Sequence, residues 1–208
     1  MKVIYCAGEQ GRVVLDILRA DGNNDNIVFV DDDQSLHHDS IDGISVVGGQ
    51  TKLTEFSSEN ARCLVAFGDE PGARLELAGE ISNMGYDFFN AIHPSSSVSH
   101  STTLGEGITV NGGSYIGPHV RLENHVLIDS CVNVSHECTL HTGATVTPGV
   151  TLAGGVSVGT DVYLGPGATV IEDITIADKA VIGAGAVVTE DVPKESTVVG
   201  VPAEPIDS

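Results

Sequence analysis

The stretch Val134-Ser135-His136-Glu137-Cys138-Thr139-Leu140-His141-Thr142-Gly143-Ala144-Thr145-Val146 carries a branched aliphatic residue at every sixth place. The pattern runs far in both directions. From Val98 to Val188 the same phase is filled at Leu104, Val110, Ile116, Leu122, Ile128, Val134, Leu140, Val146, Leu152, Val158, Leu164, Val170, Ile176 and Ile182. The chain is 41% hydrophobic, so chance would fill all these places on the order of once in a million trials. A second phase, four residues later, holds small or aliphatic residues such as Ile108, Val120, Cys138, Ala144, Val162 and Ala186. A helix needs a period of about 3.6 and a half-exposed strand a period of 2. A period of six means a short strand and a corner, with three such sides closing one coil of a triangular solenoid. The spacing predicts a parallel β-helix over about 93–192, of roughly five coils, followed by a closing segment 193–208.

The solenoid takes about half of the 208 residues and leaves 1–90 for a separate small α/β unit with its own core. Aromatics are scarce at 4% and Trp is absent, as suits an interior of stacked aliphatics. The four cysteines show no CxxC spacing, and Cys138 falls on an inward phase, which makes it a small buried hydrophobe. No apolar run approaches the roughly 18 residues of a membrane span and the N-terminus lacks a signal-like core, so a cytoplasmic protein is expected. Nine basic against twenty-nine acidic residues give a net charge of −20. Such a surface repels nucleic acid and anionic membranes. With its acids scattered, it suits a halophile, whose saline cytosol screens self-repulsion.

In the front unit, 2–6 read as a buried strand entering the turn Ala7-Gly8-Glu9-Gln10-Gly11, and a helix follows to Asp21-Gly22. A second strand at 27–30 ends in Asp31-Asp32-Asp33. A third at 63–67 ends in Gly68-Asp69, and Pro71 opens a second helix. This is the order of a Rossmann-like nucleotide-binding βαβ unit. The glycine fingerprint is incomplete, because Cys6 stands where the first glycine belongs. Two readings stay open from these residues: a nucleotide-sugar pocket, or a cap that only packs.

Among eight histidines, His37 and His38 read as solvated loop residues, and His100, His119 and His125 fall on surface phases. His136 sits at an outward corner with Glu137 directly after it. An imidazole is a suitable base near neutral pH, and a carboxylate on its other nitrogen fixes the tautomer. A surface histidine beside a surface glutamate is the alternative.

The chain as a whole resembles the hexapeptide-repeat sugar acetyltransferases that modify UDP-4-amino sugars and sialic acids. The segments that carry the likeness are Ile4–Val14, Val30-Asp31-Asp32, Ser135-His136-Glu137-Cys138, Leu152–Gly159 and Gly200-Val201-Pro202-Ala203. The resemblance implies a left-handed β-helix, a homotrimer, and direct acyl transfer from acetyl-CoA with no metal. It makes His136 the general base and Glu137 its orienting partner. It assigns Gly8, Gln10, Asp31, Asp32 and Gly68 to the nucleotide sugar or sialic-acid-like acceptor, and Thr145, Gly154, Pro166 and Ala184 to acetyl-CoA. The sequence departs from the family at several places. Thr145 replaces a second histidine, Gln10 the histidine of the front turn, and Cys6 and Glu9 replace glycines. Glu204 stands where a lysine often meets the coenzyme's 3′-phosphate.

Two rival readings use the same solenoid. One is a zinc enzyme like the γ-type carbonic anhydrases, since His136 and His141 have the i, i+5 spacing of two of its ligands. His100 lies two coils away, however, or roughly 10 Å at about 4.8 Å per rung, which zinc–nitrogen bonds near 2.1 Å do not bridge. The other is a non-catalytic nucleotide-sugar-binding module.

Overall fold

A computed structural model describes residues 1–22, 26–68 and 72–206. The chain forms two compact units, Met1–Ala91 and Ile92–Ser208. The expected opening of the second helix at Pro71 lies outside the described residues; the helix itself, α2, runs Ala73–Asn83.

In the first unit, β1 (Lys2–Tyr5) is central in a four-stranded parallel sheet. It pairs with β2 (Ile27–Val30) on one side and with Arg62–Val65 on the other, beyond which lies Asp87–Phe88. Helix α1 (Glu9–Ala20) returns the chain from β1 to β2 and buries Val14, Leu15, Ile17 and Leu18. β1 is buried on both faces. Ile4 joins the α1-side core with Phe29 and Leu64, while Val3 and Tyr5 join the opposite core with Val30, Leu53 and Ile81. Alternation along a strand sends successive side chains to opposite faces, so a continuous apolar run fits a sheet covered on both sides.

The second unit is a β-solenoid of about six turns built from two-residue strands in three walls. The first wall holds eight strands, from Ala91–Ile92 through Thr145–Val146 to Thr197–Val199 and the antiparallel Glu204–Pro205. The second holds six, from Ser97–Val98 to Val187–Val188, and the third five, from Thr103–Leu104 to Thr175–Ile176. Pairing is parallel at eighteen-residue intervals, as in Asn133↔Thr151 and Val134↔Leu152. The stack is longer than the roughly five coils expected because a further, shorter turn follows the hexad run. Val181 pairs with Thr197, sixteen residues on, so the hexad phase slips after Val188.

Both aliphatic phases point inward and form one continuous core from Ile108 to Val198, with Val98 and Leu104 only partly buried at its open start. Ser114 interrupts the second phase. Its buried hydroxyl donates to the Asp129 carbonyl at 2.6 Å and accepts from the Val132 N–H at 3.1 Å, so the polar group is satisfied. From the third corner of the solenoid onward, each hexad corner closes with one residue of positive φ. These fall every sixth residue from Gly107 to Gly185, with His119, His125, Cys131, Glu137, Asp161, Asp173 and Lys179 standing where glycine would cost less.

Candidate functional site

His136 and Glu137 form the corner between the second-wall strand Asn133–Val134 and the third-wall strand Thr139–Leu140. Glu137 has φ +60, which turns the chain sharply and throws both side chains outward. The backbone is pinned to the coils on either side. Glu137 N–H donates to the Pro118 carbonyl at 2.9 Å, and Gly155 N–H donates to the His136 carbonyl at 3.0 Å. His136 Nδ1 lies 3.1 Å from Glu137 Oε2, with the two side chains 60% and 68% exposed. This contact assigns the proton to Nδ1 and leaves Nε2 as the basic nitrogen. Cys138 is buried, with its thiol 3.1 Å from the Ala153 carbonyl, and burial raises its pKa. It stays a protonated core residue.

Gly154 lies one coil beyond His136 on the same corner, buried beside the imidazole. Pro166 and Ala184 occupy a different corner, between the first and second walls, and are exposed. Thr145 is buried on the first wall. One chain therefore places Gly154 and the Pro166–Ala184 column at opposite edges of the second wall. Six residues of chain separate such corners, roughly 20 Å at about 3.3 Å per residue.

The second wall and the corner leading into it have an unusual composition. The segments 94–99, 112–117, 130–135, 148–153, 166–171 and 184–189 contain no Asp, Glu, Lys, Arg or His, in a chain that is 18% charged. Tyr115 and Ile171 are exposed on this side.

In the first unit, a pocket of about 180 Å³ is lined by Cys6, Gly8, Glu9, Gln10, Asp31, Ala66, Phe67 and Gly68. It brings together four of the five residues the sequence assigned to substrate. Asp32 is not among them. Its carboxylate accepts from the Tyr5 hydroxyl and from Gln50 N–H, so it ties scaffold elements together. Asp31 accepts from Ala7 N–H at 2.7 Å and from Asp33 N–H at 2.9 Å, which braces the turn above β1. Gln10 Nε2 is buried with no hydrogen-bond partner among the described residues. Burial and the carboxylates of Asp31 and Asp32 push the Cys6 thiol up to about 12, so it is not a nucleophile. Gly11, which the sequence reading passed over, is fixed by space: a Cβ there would sit 2.3 Å from the Cys6 carbonyl oxygen. Its place as the third small residue of the turn was the signal available. His37, expected to be solvated, instead places Nε2 2.8 Å from the Asp31 carbonyl.

A second histidine–carboxylate cluster lies at the far end of the strand Thr139–Leu140. Glu123 Oε2 lies 3.3 Å from His141 Nδ1 and accepts from Thr142 N–H and Oγ1, both at 3.2 Å. Partial burial raises the Glu123 pKa, but the bonds from His141 and Thr142 outweigh it and hold the carboxyl below its ordinary value. His136 and His141 thus face different carboxylates at opposite ends of one strand. Among the described residues no three His, Cys, Asp or Glu gather as a metal site would need.

The fold and the two sites define a class: a solenoid acyltransferase with a small α/β pocket domain in front. Residues 3–81 match the family model of the PglD N-terminal domain, and 155–190 match that of the bacterial transferase hexapeptide repeats. A histidine-to-alanine variant of GDP-perosamine N-acetyltransferase from Caulobacter crescentus, solved with CoA and GDP-perosamine, is 34% identical over 100% of this chain and 97% of its own, with a TM-score of 0.93. The acetyltransferase domain of PglB from Neisseria gonorrhoeae, solved with acetyl coenzyme A, is 30% identical over 99% of this chain and 98% of its own, also with a TM-score of 0.93. The chain belongs to the PglD-like family of hexapeptide-repeat sugar N-acetyltransferases. It is an acetyl-CoA-dependent enzyme of that kind.

Proposed function

We propose that this enzyme acetylates the amino group of a nucleotide-linked sugar in a cleft between copies of a homotrimer, with His136 as general base. The observation that carries this reading is the His136–Glu137 pair at 3.1 Å on an open corner. The amine attacks the thioester carbonyl, so that a C–N bond forms and the C–S bond breaks. His136 Nε2 takes the proton from the nitrogen and passes it to the departing thiolate. Glu137 steadies the imidazolium between these steps. The C. crescentus relative was solved as histidine variants with CoA and its sugar nucleotide, which supports a histidine with a task in the reaction.

The positions of these residues favour a trimer. Gly154 stands beside His136, while Pro166 and Ala184 lie at the other edge of the second wall. An acetyl-CoA with its thioester at one copy's His136 corner can meet Pro166 and Ala184 within a narrow cleft where a neighbour's Pro166 corner closes against it. Turning the three charge-free walls toward a common axis achieves this and removes water from the cleft, which strengthens the electrostatics of transfer. In a protein of net charge −20, an uncharged wall is the face on which copies can meet without repulsion.

The front pocket supplies the acceptor's anchor. Its volume of about 180 Å³ is below the roughly 300 Å³ of a full ligand site, so it takes one portion of the nucleotide. The uncapped start of α1 at Gly8 offers backbone N–H groups for phosphate, and Gln10 adds an amide. Activated sugars and acyl thioesters are made inside cells, which places the work in the cytoplasm.

The test is an acetyl-CoA consumption assay at molar salt against GDP-perosamine, a panel of UDP-4-amino sugars, and sialic acids. Turnover with an amino-sugar nucleotide is expected. Turnover confined to hydroxyl acceptors would overturn nitrogen as the site of transfer.

A further inference from the structure

We infer that Gly154 is a positioning residue for His136: its bare Cα forms the slot in which the imidazole lies. This rests on His136 being the base and explains how the ring is held. Three observations carry it.

First, a Cβ built on Gly154 would stand 2.5 Å from His136 Cε1, 2.7 Å from Nε2 and 3.1 Å from Nδ1. All three of its nearest neighbours are atoms of that one ring. The glycines at 117, 159 and 165 differ, because there a Cβ would meet backbone of the next coil. Second, Gly154 is not among the residues of positive φ, so an L side chain is compatible with its backbone. Third, the equivalent corner position on other coils carries a side chain throughout: His100, Pro118, His136, Glu172 and Glu190. The corner accepts side chains, and only the rung beside the ring is bare.

The consequence is chemical. The three distances place that Cβ over the face of the ring, so the imidazole lies flat on Gly154 while the in-plane lone pair of Nε2 points past it. A reacting amine must come within roughly 2.6–3.2 Å of that nitrogen, which fixes where the ring must lie. A methyl group added to Gly154 would overlap the ring face. The ring can escape by rotating, since it is the free end of a side chain, but rotation takes Nδ1 away from Glu137 Oε2. The base is then misplaced while the solenoid stays intact.

The experiment is a double-mutant cycle on the full chain, using Gly154→Ala, His136→Ala and the combination, with crystal structures of the parent and of Gly154→Ala. Gly154→Ala is expected to lower kcat by about 10²-fold or more, within the range for loss of a general base, beyond any rise in KM that its contact with acetyl-CoA brings. In the His136→Ala background, Gly154→Ala is expected to add no further loss. The crystal structure should show the ring swung away from Glu137. A ring unmoved, or a loss repeated in full without His136, would overturn the inference. So would a rise in KM at constant kcat, which marks a coenzyme contact only. Should His136→Ala keep parental activity, the base assignment itself fails. That outcome is distinguishable, because the ring displacement in Gly154→Ala is read independently of turnover.

Discussion

Thr151→Glu places a charge in the middle of the second wall, where Thr151 pairs with Asn133 below and Thr169 above. Six rungs at about 4.8 Å and a wall about 15–20 Å wide make a face of roughly 400–600 Å² per copy. Three such faces total about 1,200–1,800 Å² over the three contacts of the trimer, a modest area that an unpartnered charge readily outweighs. Burying a carboxylate without a partner costs several kcal/mol even after relaxation, and threefold symmetry repeats the cost in each copy. At about 3 kcal/mol per copy the trimer loses ~9 kcal/mol, or more than six decades of association constant at ~1.4 kcal/mol per decade. Salt does not rescue it. A Debye length near 3 Å at 1 M screens repulsion between charges, but the desolvation of each carboxylate remains. Light scattering in molar salt is expected to give a trimer for the parent and a monomer for the variant, with acetyl transfer lost in parallel. A fully active trimeric Thr151→Glu would refute the reasoning, as would a monomeric parent with full activity.

Three further outcomes are expected. Cys138→Ala should retain kcat and lose only stability, measured by thermal melting, because the thiol is buried and protonated; an inactive, folded variant would point to an acyl-enzyme. Glu123→Gln should melt earlier than the parent at neutral pH, by an amount corresponding to roughly 0.5–1 kcal/mol. The folded Glu123 pKa is lowered, so its contribution is present above the unfolded pKa and is lost as pH falls through the folded one. The gap between the two melting curves should therefore close in acid, and a gap that widens there would contradict the His141–Thr142 bonds as its source. Gly11→Ala should destabilise the first unit by about 1–3 kcal/mol through overpacking against the Cys6 carbonyl, read by denaturant unfolding, with the solenoid's transition unchanged.

The walls were legible in the sequence because a solenoid is a repeat. Each inward position must be apolar on every coil, so the hexad states the strand, the corner and the stacking interval together. The last turn was hidden because sixteen residues, not eighteen, separate Val181 from Thr197, and a periodic reading loses phase there. The outward corner of His136 and its neighbour Glu137 were legible from the register, but the resemblance, not the register, singled that histidine out as the base. The choice between Asp31 and Asp32 was not legible, because both end the same strand and only the fold decides which face each carboxylate takes. Tyr5 makes that choice: its buried hydroxyl claims Asp32. The slot at Gly154 was equally invisible, since its reason is a ring eighteen residues earlier in the chain and adjacent only in the coil. The glycines at 107, 113, 143, 149, 155, 167 and 185 did mark the positive-φ corner register, but Glu137 occupies that register without being glycine.

The most direct measurement of the central claim is a rapid-quench experiment following the acetyl group from acetyl-CoA to an amino-sugar nucleotide, with parent and His136→Ala compared at molar salt. Acetyl should appear on the sugar nitrogen with none held on the protein, and His136→Ala should slow the transfer step by about 10²–10⁴-fold while acetyl-CoA binding persists. Transfer by His136→Ala at the parental rate, or acetyl accumulating on the protein before it reaches the sugar, would contradict direct transfer with His136 as the base.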